Sequence, residues 1–370
     1  METDTDHDLI SELPQSIIET ILTKLPIRDA VRTSIFSSRW RYKWASLTHL
    51  VFDDQVATHY NGQTLVRDKI INFITRCLFL HEGPIHKFSL CSSYFPSLPD
   101  IDQWLLFVSR KGLKELILKL GEDEWFRAPS SVFSCEKLCR LEIVRCELDP
   151  PPNFSGFSFL KCLILQQVLI PPDDIECLIS SCPLLESLTL SYFDSLELTV
   201  RAPNLKYLVL EGEFKDLRLA STPLLVAISV VLYMTDDIAE HFEQSSSCNF
   251  DNLLGGVPKL VRLIGHIDFT KCSSNMSAAM QAPDLQYWDA QSSIGSTFHK
   301  LKTVKLTDVS GVLHEMKFIE FLLERSPCLE EMSIMPTLYV TGGRLTMLVD
   351  LVGFRRASPR ASINFIHEPV

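Results

Sequence analysis

Three stretches decide the fold: Pro183-Leu184-Leu185-Glu186-Ser187-Leu188-Thr189-Leu190, Pro203-Asn204-Leu205-Lys206-Tyr207-Leu208-Val209-Leu210 and Pro223-Leu224-Leu225-Val226-Ala227-Ile228-Ser229-Val230. In each, a leucine follows the proline by two residues, further apolar residues follow that leucine by three and five, and the frame advances by 20. Apolar residues two apart share one face of a strand, so each stretch predicts a short strand with one buried and one open face. Proline has a fixed φ and no N–H, and it biases the residue before it to extended geometry. It therefore predicts a stop before each strand and a fixed point of entry to it.

Working outward, the same apolar-x-x-apolar-x-apolar pattern begins at Leu113, Leu138, Leu160, Leu185, Leu205, Leu225, Leu260, Leu285, Leu301 and Leu329, with weaker versions at Leu47 and Ile85. Pro258, Pro283 and Pro327 occupy the place of Pro183, so six of the ten units carry the proline. Most intervals fall in or near the window of about 20 to 29 residues that marks leucine-rich solenoids. Ile175, Leu178 and Ile179 before Pro183, Phe250, Leu253 and Leu254 before Pro258, and Ile319, Leu322 and Leu323 before Pro327 have the i, i+3, i+4 spacing of one helical face. The unit reads as helix, proline stop, short strand. Ten such strands side by side make a strip of roughly 43 Å, the scale of a protein-binding surface. The position three after the last core residue of a unit, often Asn in such repeats, is Gly121, Cys146, Val168, Phe193, Glu213 and Tyr233. A less regular convex side is expected.

Composition agrees with a globular chain: 370 residues, 46% hydrophobic, 22% charged and net −11. Such a charge repels phosphate backbones and anionic lipid, so neither nucleic acid nor membrane is an expected partner. The 11 cysteines are odd in number and contain no C-x2-C knuckle, which fits free thiols in a reducing compartment. The start of the chain lacks a signal-peptide pattern, and the longest apolar run, Leu224–Met234, is too short to span a bilayer and reads as a buried strand. A nuclear or cytoplasmic location is expected, or both.

The first fifty residues differ. Ile17, Ile18, Ile21, Leu22 and Leu25 form the stripe of an amphipathic helix between Pro14 and Pro26, and two short helices are expected over Ile27–Ser34 and Arg39–Trp44. Read by itself, the stripe serves either an internal packing face or a partner. A module of about 45 residues has little core of its own and normally leans on something.

Those residues resemble a known family. Asp8-Leu9-Ile10-Ser11-Glu12-Leu13-Pro14, the stripe, Leu25-Pro26-Ile27-Arg28-Asp29-Ala30-Val31 and Thr33-Ser34-Ile35-Phe36-Ser37-Ser38-Arg39-Trp40-Arg41 with Trp44 resemble a plant F-box, with Phe36 where leucine is usual. Phe298-His299-Lys300-Leu301, Phe321-Leu322-Leu323-Glu324-Arg325-Ser326-Pro327 and Phe354-Arg355-Arg356-Ala357-Ser358 resemble an FBD-type tail. The chain is thus similar to plant F-box proteins of the F-box/FBD/LRR type. The resemblance implies an α/β fold with a three-helix F-box over 1–50, a leucine-rich-repeat solenoid over 51–290, and last repeats with an FBD-like α/β region over 291–370. It further implies a substrate-recruiting subunit of an SCF-type ubiquitin ligase, without catalysis or cofactor, bound to a Skp-type adaptor and through it to a cullin. The adaptor contacts it implies are Leu13, Pro14, Ile17, Ile18, Ile21, Leu22, Leu25, Pro26, Phe36, Arg39, Trp40 and Trp44. A scaffold that uses the F-box without ubiquitination, and a small-ligand co-receptor, are the other two readings.

The motifs of nucleotide-binding, nucleophile-elbow and zinc-hydrolase enzymes are missing from the sequence. The basic run Arg28, Arg32, Arg39, Arg41 and Lys43 reads as a solvated or adaptor-facing edge, and Arg355-Arg356-Ala357-Ser358 as a structural element of the tail rather than a kinase site. On the open strand face, Tyr207, Val209, Val231, Ile264 and Tyr287 are an apolar and aromatic set expected to meet a protein substrate, or else to be covered by the tail. The 35-residue interval after Leu225, with Asp236, Asp237 and Gln244-Ser245-Ser246-Ser247, is long enough for a loop over a bound partner. The open-face charges, Glu115, Lys119, Arg140, Glu142, Glu211, Arg262, Asp289, Lys305 and Glu331, are nearly balanced and predict no cationic pocket.

Overall fold

The structure, a computed structural model, describes residues 13–38, 40–56, 63–91, 100–120, 125–233, 257–268, 297–311, 313–337 and 344–366. The chain divides into two compact units, Met1–Cys162 with Val168–Ile170, and Leu163–Gln167 with Pro171–Val370. The expected helix at Phe250–Leu254, the interval loop, Asp289, Arg39 and Tyr287 lie outside the described residues.

In the first unit, the Pro14 carbonyl accepts the N–H groups of Ile17 and Ile18 at 2.9 and 3.1 Å and starts α1 (Gln15–Lys24), which buries Ile18 and Leu22. Pro26 starts α2 (Ile27–Arg32) in the same way, burying Ile27 and Ala30. A proline at this point forfeits no intrahelical bond. The segment expected as a third helix is a series of tight turns instead. Short 3-10 turns at Thr33–Ile35 and Lys43–Ser46 flank Tyr42, whose φ of 62° is left-handed and breaks a right-handed helix. This module is tied to the start of the repeats: Arg28 Nη1 donates to the Val56 carbonyl at 3.1 Å, the Glu82 N–H to the Ala45 carbonyl at 2.8 Å, and His81 Nε2 to the Leu47 carbonyl at 2.8 Å.

Strands β1 (His49–Asp53), β2 (Lys87–Cys91), β3 (Glu115–Lys119) and β5 (Arg140–Glu147) then pair in parallel in that order, with the two-residue β4 (Phe126–Arg127) beside the end of β5. Helices α3 (Gln63–Leu80) and α4 (Ile101–Ser109) occupy the connections. Leu50, Phe52, Phe88 and Leu90 are buried, so the weak patterns at Leu47 and Ile85 are true repeats.

Strand β6 (Cys162–Leu169) gives its central residues to the second unit. There follow α5 (Pro172–Ser180), β7 (Ser187–Arg201), β8 (Tyr207–Ser221), β9 (Ala227–Tyr233), β10 (Arg262–Asp268), β11 (Thr303–Val309), α6 (Leu313–Arg325), β12 (Glu331–Pro336), α7 (Arg344–Gly353) and β13 (Ser362–Phe365). Strands β7 to β13 pair in parallel, in chain order. The α5 and α6 stripes, Ile175, Leu178, Ile179 and Ile319, Leu322, Leu323, are buried as the helical spacing predicts. The two 20-residue units differ: too short for a helical return, they extend β7 and β8 and bury Leu198, Val200 and Leu219 on strand instead. The C-terminal residues continue the same strand order, and β13 escaped the repeat pattern because Arg360 stands where a leucine opens the other units.

Three local devices keep the units in register. The first is a turn in which the opening leucine donates its N–H three residues back: Leu185 to Cys182, Leu205 to Ala202, Leu225 to Thr222, Leu260 to Val257 and Leu329 to Ser326, at 3.1 to 3.2 Å. The proline is the second residue of this turn, where its fixed φ fits, and the residue before it is buried in every case. Leu138, Leu160 and Leu301 make the same bond without proline. The second device is a shared carbonyl, since the residue before most of the strands accepts two N–H groups from the next unit. The Lys206 carbonyl, for example, accepts from Val226 at 2.9 Å and Ala227 at 3.1 Å. The third is a left-handed residue at the sixth position of the strand, Arg145, Gln167, Tyr192 and Asp308. It turns the next side chain, Cys146, Val168, Phe193 or Val309, into the interior, so apolar packing stands where an Asn ladder would run.

Candidate functional site

The N-terminal module and the open strand face hold the residues singled out in the sequence. On α1, successive residues are about 100° apart. Ile18 and Leu22 therefore point inward while Ile17 and Ile21, one residue earlier on each turn, stand in solvent. The expected adaptor contacts divide accordingly. Ile18, Leu22, Trp40 and Trp44 are buried and hold the module together. Pro14, Ile17, Ile21, Pro26 and Phe36 are exposed, and Leu13 and Leu25 half-buried. Ile17 is 45% and Phe36 66% exposed. Sequence reasoning missed Ile35, 80% exposed, and Tyr42, 57% exposed, because neither belongs to a helical stripe. Large apolar side chains in solvent on so small a module are the residue type that an interaction surface uses. Of the basic run, Arg32 lies 3.8 Å from Asp29, and Arg41 is exposed.

On the repeats, Leu188, Leu190, Leu208 and Leu210 are buried, and Ser187, Thr189, Tyr207 and Val209 alternate with them on the open face. Tyr207 is 52% exposed, while Val209, Val231 and Ile264 are half-buried. The first unit's open face is lined by ion pairs: Lys87 with Glu115 at 3.4 Å, and Lys119 and Arg140 both with Glu142, at 2.5 and 2.6 Å. Burial alone pushes the Glu142 carboxyl up, but the hydrogen bonds and charges of Lys119 and Arg140 outweigh it and hold the carboxyl below its ordinary value. His266 Nδ1 lies 3.0 Å from both Asp308 Oδ2 and Thr307 Oγ1.

The thiols of the described residues are free. Burial pushes Cys77 and Cys135 up to about 12 and Cys146 higher still, far from the reactive range. Ser358 is buried and donates to the Leu329 carbonyl at 2.6 Å, a structural role. Among the described residues, no group of three His, Cys, Asp or Glu is placed to hold a metal ion, and no helix is long and apolar enough to cross a membrane.

The F-box domain model matches residues 10–51, and the model for the FBD-associated F-box protein At5g56370, LRR repeats, matches residues 101–334. The chain is 46% identical over 413 aligned residues to the F-box/FBD/LRR-repeat protein At1g13570 of Arabidopsis thaliana, covering 98% of the chain and 99% of that relative. The chain belongs to the F-box/FBD/LRR-repeat family. Also from Arabidopsis thaliana, the F-box/LRR-repeat protein At4g14103 is 30% identical over 69% of the chain and 68% of its own length. The FBD-associated F-box protein At5g56370 is 27% identical over 86% and 88%. The N-terminal module with its exposed Ile17, Ile21 and Phe36 is thus the F-box, and the stacked strands are the leucine-rich repeats.

Proposed function

We propose that this protein is the substrate-recruiting subunit of an SCF-type ubiquitin ligase. The apolar surface of the F-box, from Pro14, Ile17, Ile21 and Phe36, meets a Skp-type adaptor that bridges to a cullin, and the open strand face of the repeats receives a protein substrate. The observation that carries this reading is the exposure of that surface in a module whose own core is already filled by Ile18, Leu22, Trp40 and Trp44. Burying exposed apolar area on a partner is favourable by about 25 cal/mol per Å², so such a surface is matched to a protein and not to water. The subunit performs no chemistry of its own. Its contribution is positioning: a tethered substrate has a high effective concentration beside the ubiquitin-loaded enzyme that other subunits supply. The place of action is the nucleus, the cytoplasm or both.

The test is affinity purification with mass spectrometry under proteasome inhibition, comparing the full chain with one lacking residues 1–50. Adaptor and cullin disappear on truncation while other proteins are retained and accumulate. Retention of adaptor and cullin by the truncated chain overturns the assignment. Partners whose abundance ignores the proteasome point to a scaffold.

A further inference from the structure

The cations of the open strand face are not paired alike. Lys87, Lys119 and Arg140 each hold a carboxylate, as do Lys206 and Lys302 just before their strands, with Glu186 at 2.8 Å and Glu330 at 2.7 Å. Arg262 and Lys305 are exposed, and among the described residues neither side chain has an ion pair, a hydrogen bond or a ring contact. They are neighbours. Arg262, Ile264 and His266 of β10 align with Thr303, Lys305 and Thr307 of β11. On the other side they align with Ala227, Ser229 and Val231 of β9, which in turn align with Tyr207, Val209 and Glu211 of β8. One strand across and two residues along puts the Arg262 and Lys305 Cα atoms about 8 Å apart, within reach of one anion for two such long side chains.

The surroundings add an apolar half to this pair. Ile264 lies between Arg262 and His266 on β10, and Val209 lies two strands away in the same row. Between them β9 presents Ser229, a small side chain that leaves a shallow trough between the two larger ones, with Ala227 and Val231 beside it along β9 and Tyr207 at its margin. The other nearby charges are engaged: His266 with Asp308, Glu211 with the Tyr192 hydroxyl, and Glu331 of β12, one strand across and two residues along from Lys305, with Ser333 Oγ and Asn364 Nδ2. On a chain of net −11, two adjacent cations with no ion-paired carboxylate among the described residues are the feature to which a carboxylate or phosphate adds pairing.

We propose that the β8–β11 face binds an extended segment of a partner protein that carries an apolar side chain next to an anionic one. The apolar side chain sits in the trough between Val209 and Ile264, and the anion, a carboxylate or a phosphorylated hydroxyl, lies between Arg262 and Lys305. This rests on the reading of the open face as the substrate surface, and it names the chemistry that the surface selects.

The experiment uses the full chain and four pools of fluorescent 12-residue peptides, with a central position fixed as phosphoserine, glutamate, serine or lysine and the flanking positions degenerate. The phosphoserine and glutamate pools bind at least about tenfold more strongly than the lysine pool, and the preference falls with added salt. The double change Arg262→Glu/Lys305→Glu inverts the preference without altering the circular dichroism, because both side chains are exposed and neither has an ion pair among the described residues. Phosphoserine above glutamate by a further tenfold identifies a phosphorylated partner, and equal binding an acidic one. Binding that ignores the fixed residue but is weakened by the neutral change Tyr207→Ala/Val209→Ser overturns the anion and leaves the face in place. Binding indifferent to both sets of changes overturns the proposal together with the face, and binding of no pool overturns the proposal.

Discussion

Replacing Leu188 with alanine tests the register on which both surfaces depend. Leu188 is fully buried in β7 and aligned with Leu208 of β8. The change removes the equivalent of three methylene groups, a transfer loss of about 2.4 kcal/mol at ~0.8 kcal/mol each. If about 50 Å³ stays unfilled, the cavity adds about 1.2 kcal/mol at ~24 cal/mol per Å³, for a total near ~3.5 kcal/mol. Thr189, the next residue, lies half-buried on the open face, and its change to alanine costs about 0.5 kcal/mol or less. Urea unfolding of the full chain measures both. Hydrogen exchange places the loss, with faster exchange at Leu188–Leu190 and Leu208–Leu210, because a repeat depends on its immediate neighbours. Equal sensitivity at positions 188 and 189 refutes the assignment of faces, and with it the position of every open-face residue.

Other outcomes rest on single sites. Gly212 has a φ of +144°, and an added Cβ would run into the Phe193 carbonyl oxygen, so Gly212→Ala destabilises by at least about 1–3 kcal/mol. Gly83→Ala, with a positive φ but open space around the new atom, loses less in the same denaturation assay. The Glu142 carboxyl is held below its ordinary value, so its pairing contributes fully above about pH 4.5 and is lost as pH falls further. The stability gap between wild type and Glu142→Gln is therefore flat from pH 8 to 6 and closes below about pH 4.5 in pH-dependent urea unfolding. Cys177 and Cys328 are exposed and react with a thiol reagent in the native protein, whereas Cys135 and Cys146 react only on unfolding, as peptide mapping of the labelled chain checks.

Much of this fold is legible in the sequence because one period carries it. The leucines at Leu113, Leu185 and Leu301 each precede a strand by two residues, since a strand that buries alternate side chains leaves little freedom of register. The buried residue before each proline was not legible: Cys182, Ala202, Thr222, Val257 and Ser326 share a place in the turn but no side-chain chemistry. The left-handed residues Arg145, Gln167, Tyr192 and Asp308 likewise share a backbone conformation and no residue type. On the F-box, the stripe Ile17, Ile18, Ile21, Leu22 marks a helix but not which flank meets solvent, since that depends on what Trp40 and Trp44 fill. The nearly balanced open-face charges predicted no cationic patch, yet pairing is a matter of neighbours. Glu142 takes up both Lys119 and Arg140, whereas the side chains of Arg262 and Lys305 have no ion pair among the described residues.

The central claim, that the exposed apolar face of the F-box is the adaptor surface, is tested most directly by titrating a Skp-type adaptor calorimetrically against the full chain and its Ile17→Asp/Phe36→Asp variant. Both side chains are in solvent, so the variant keeps the unfolding midpoint of the wild type. Its affinity for the adaptor falls at least about 100-fold, as expected for the loss of two interface anchors. An affinity equal to that of the wild type, with the fold intact, contradicts the account.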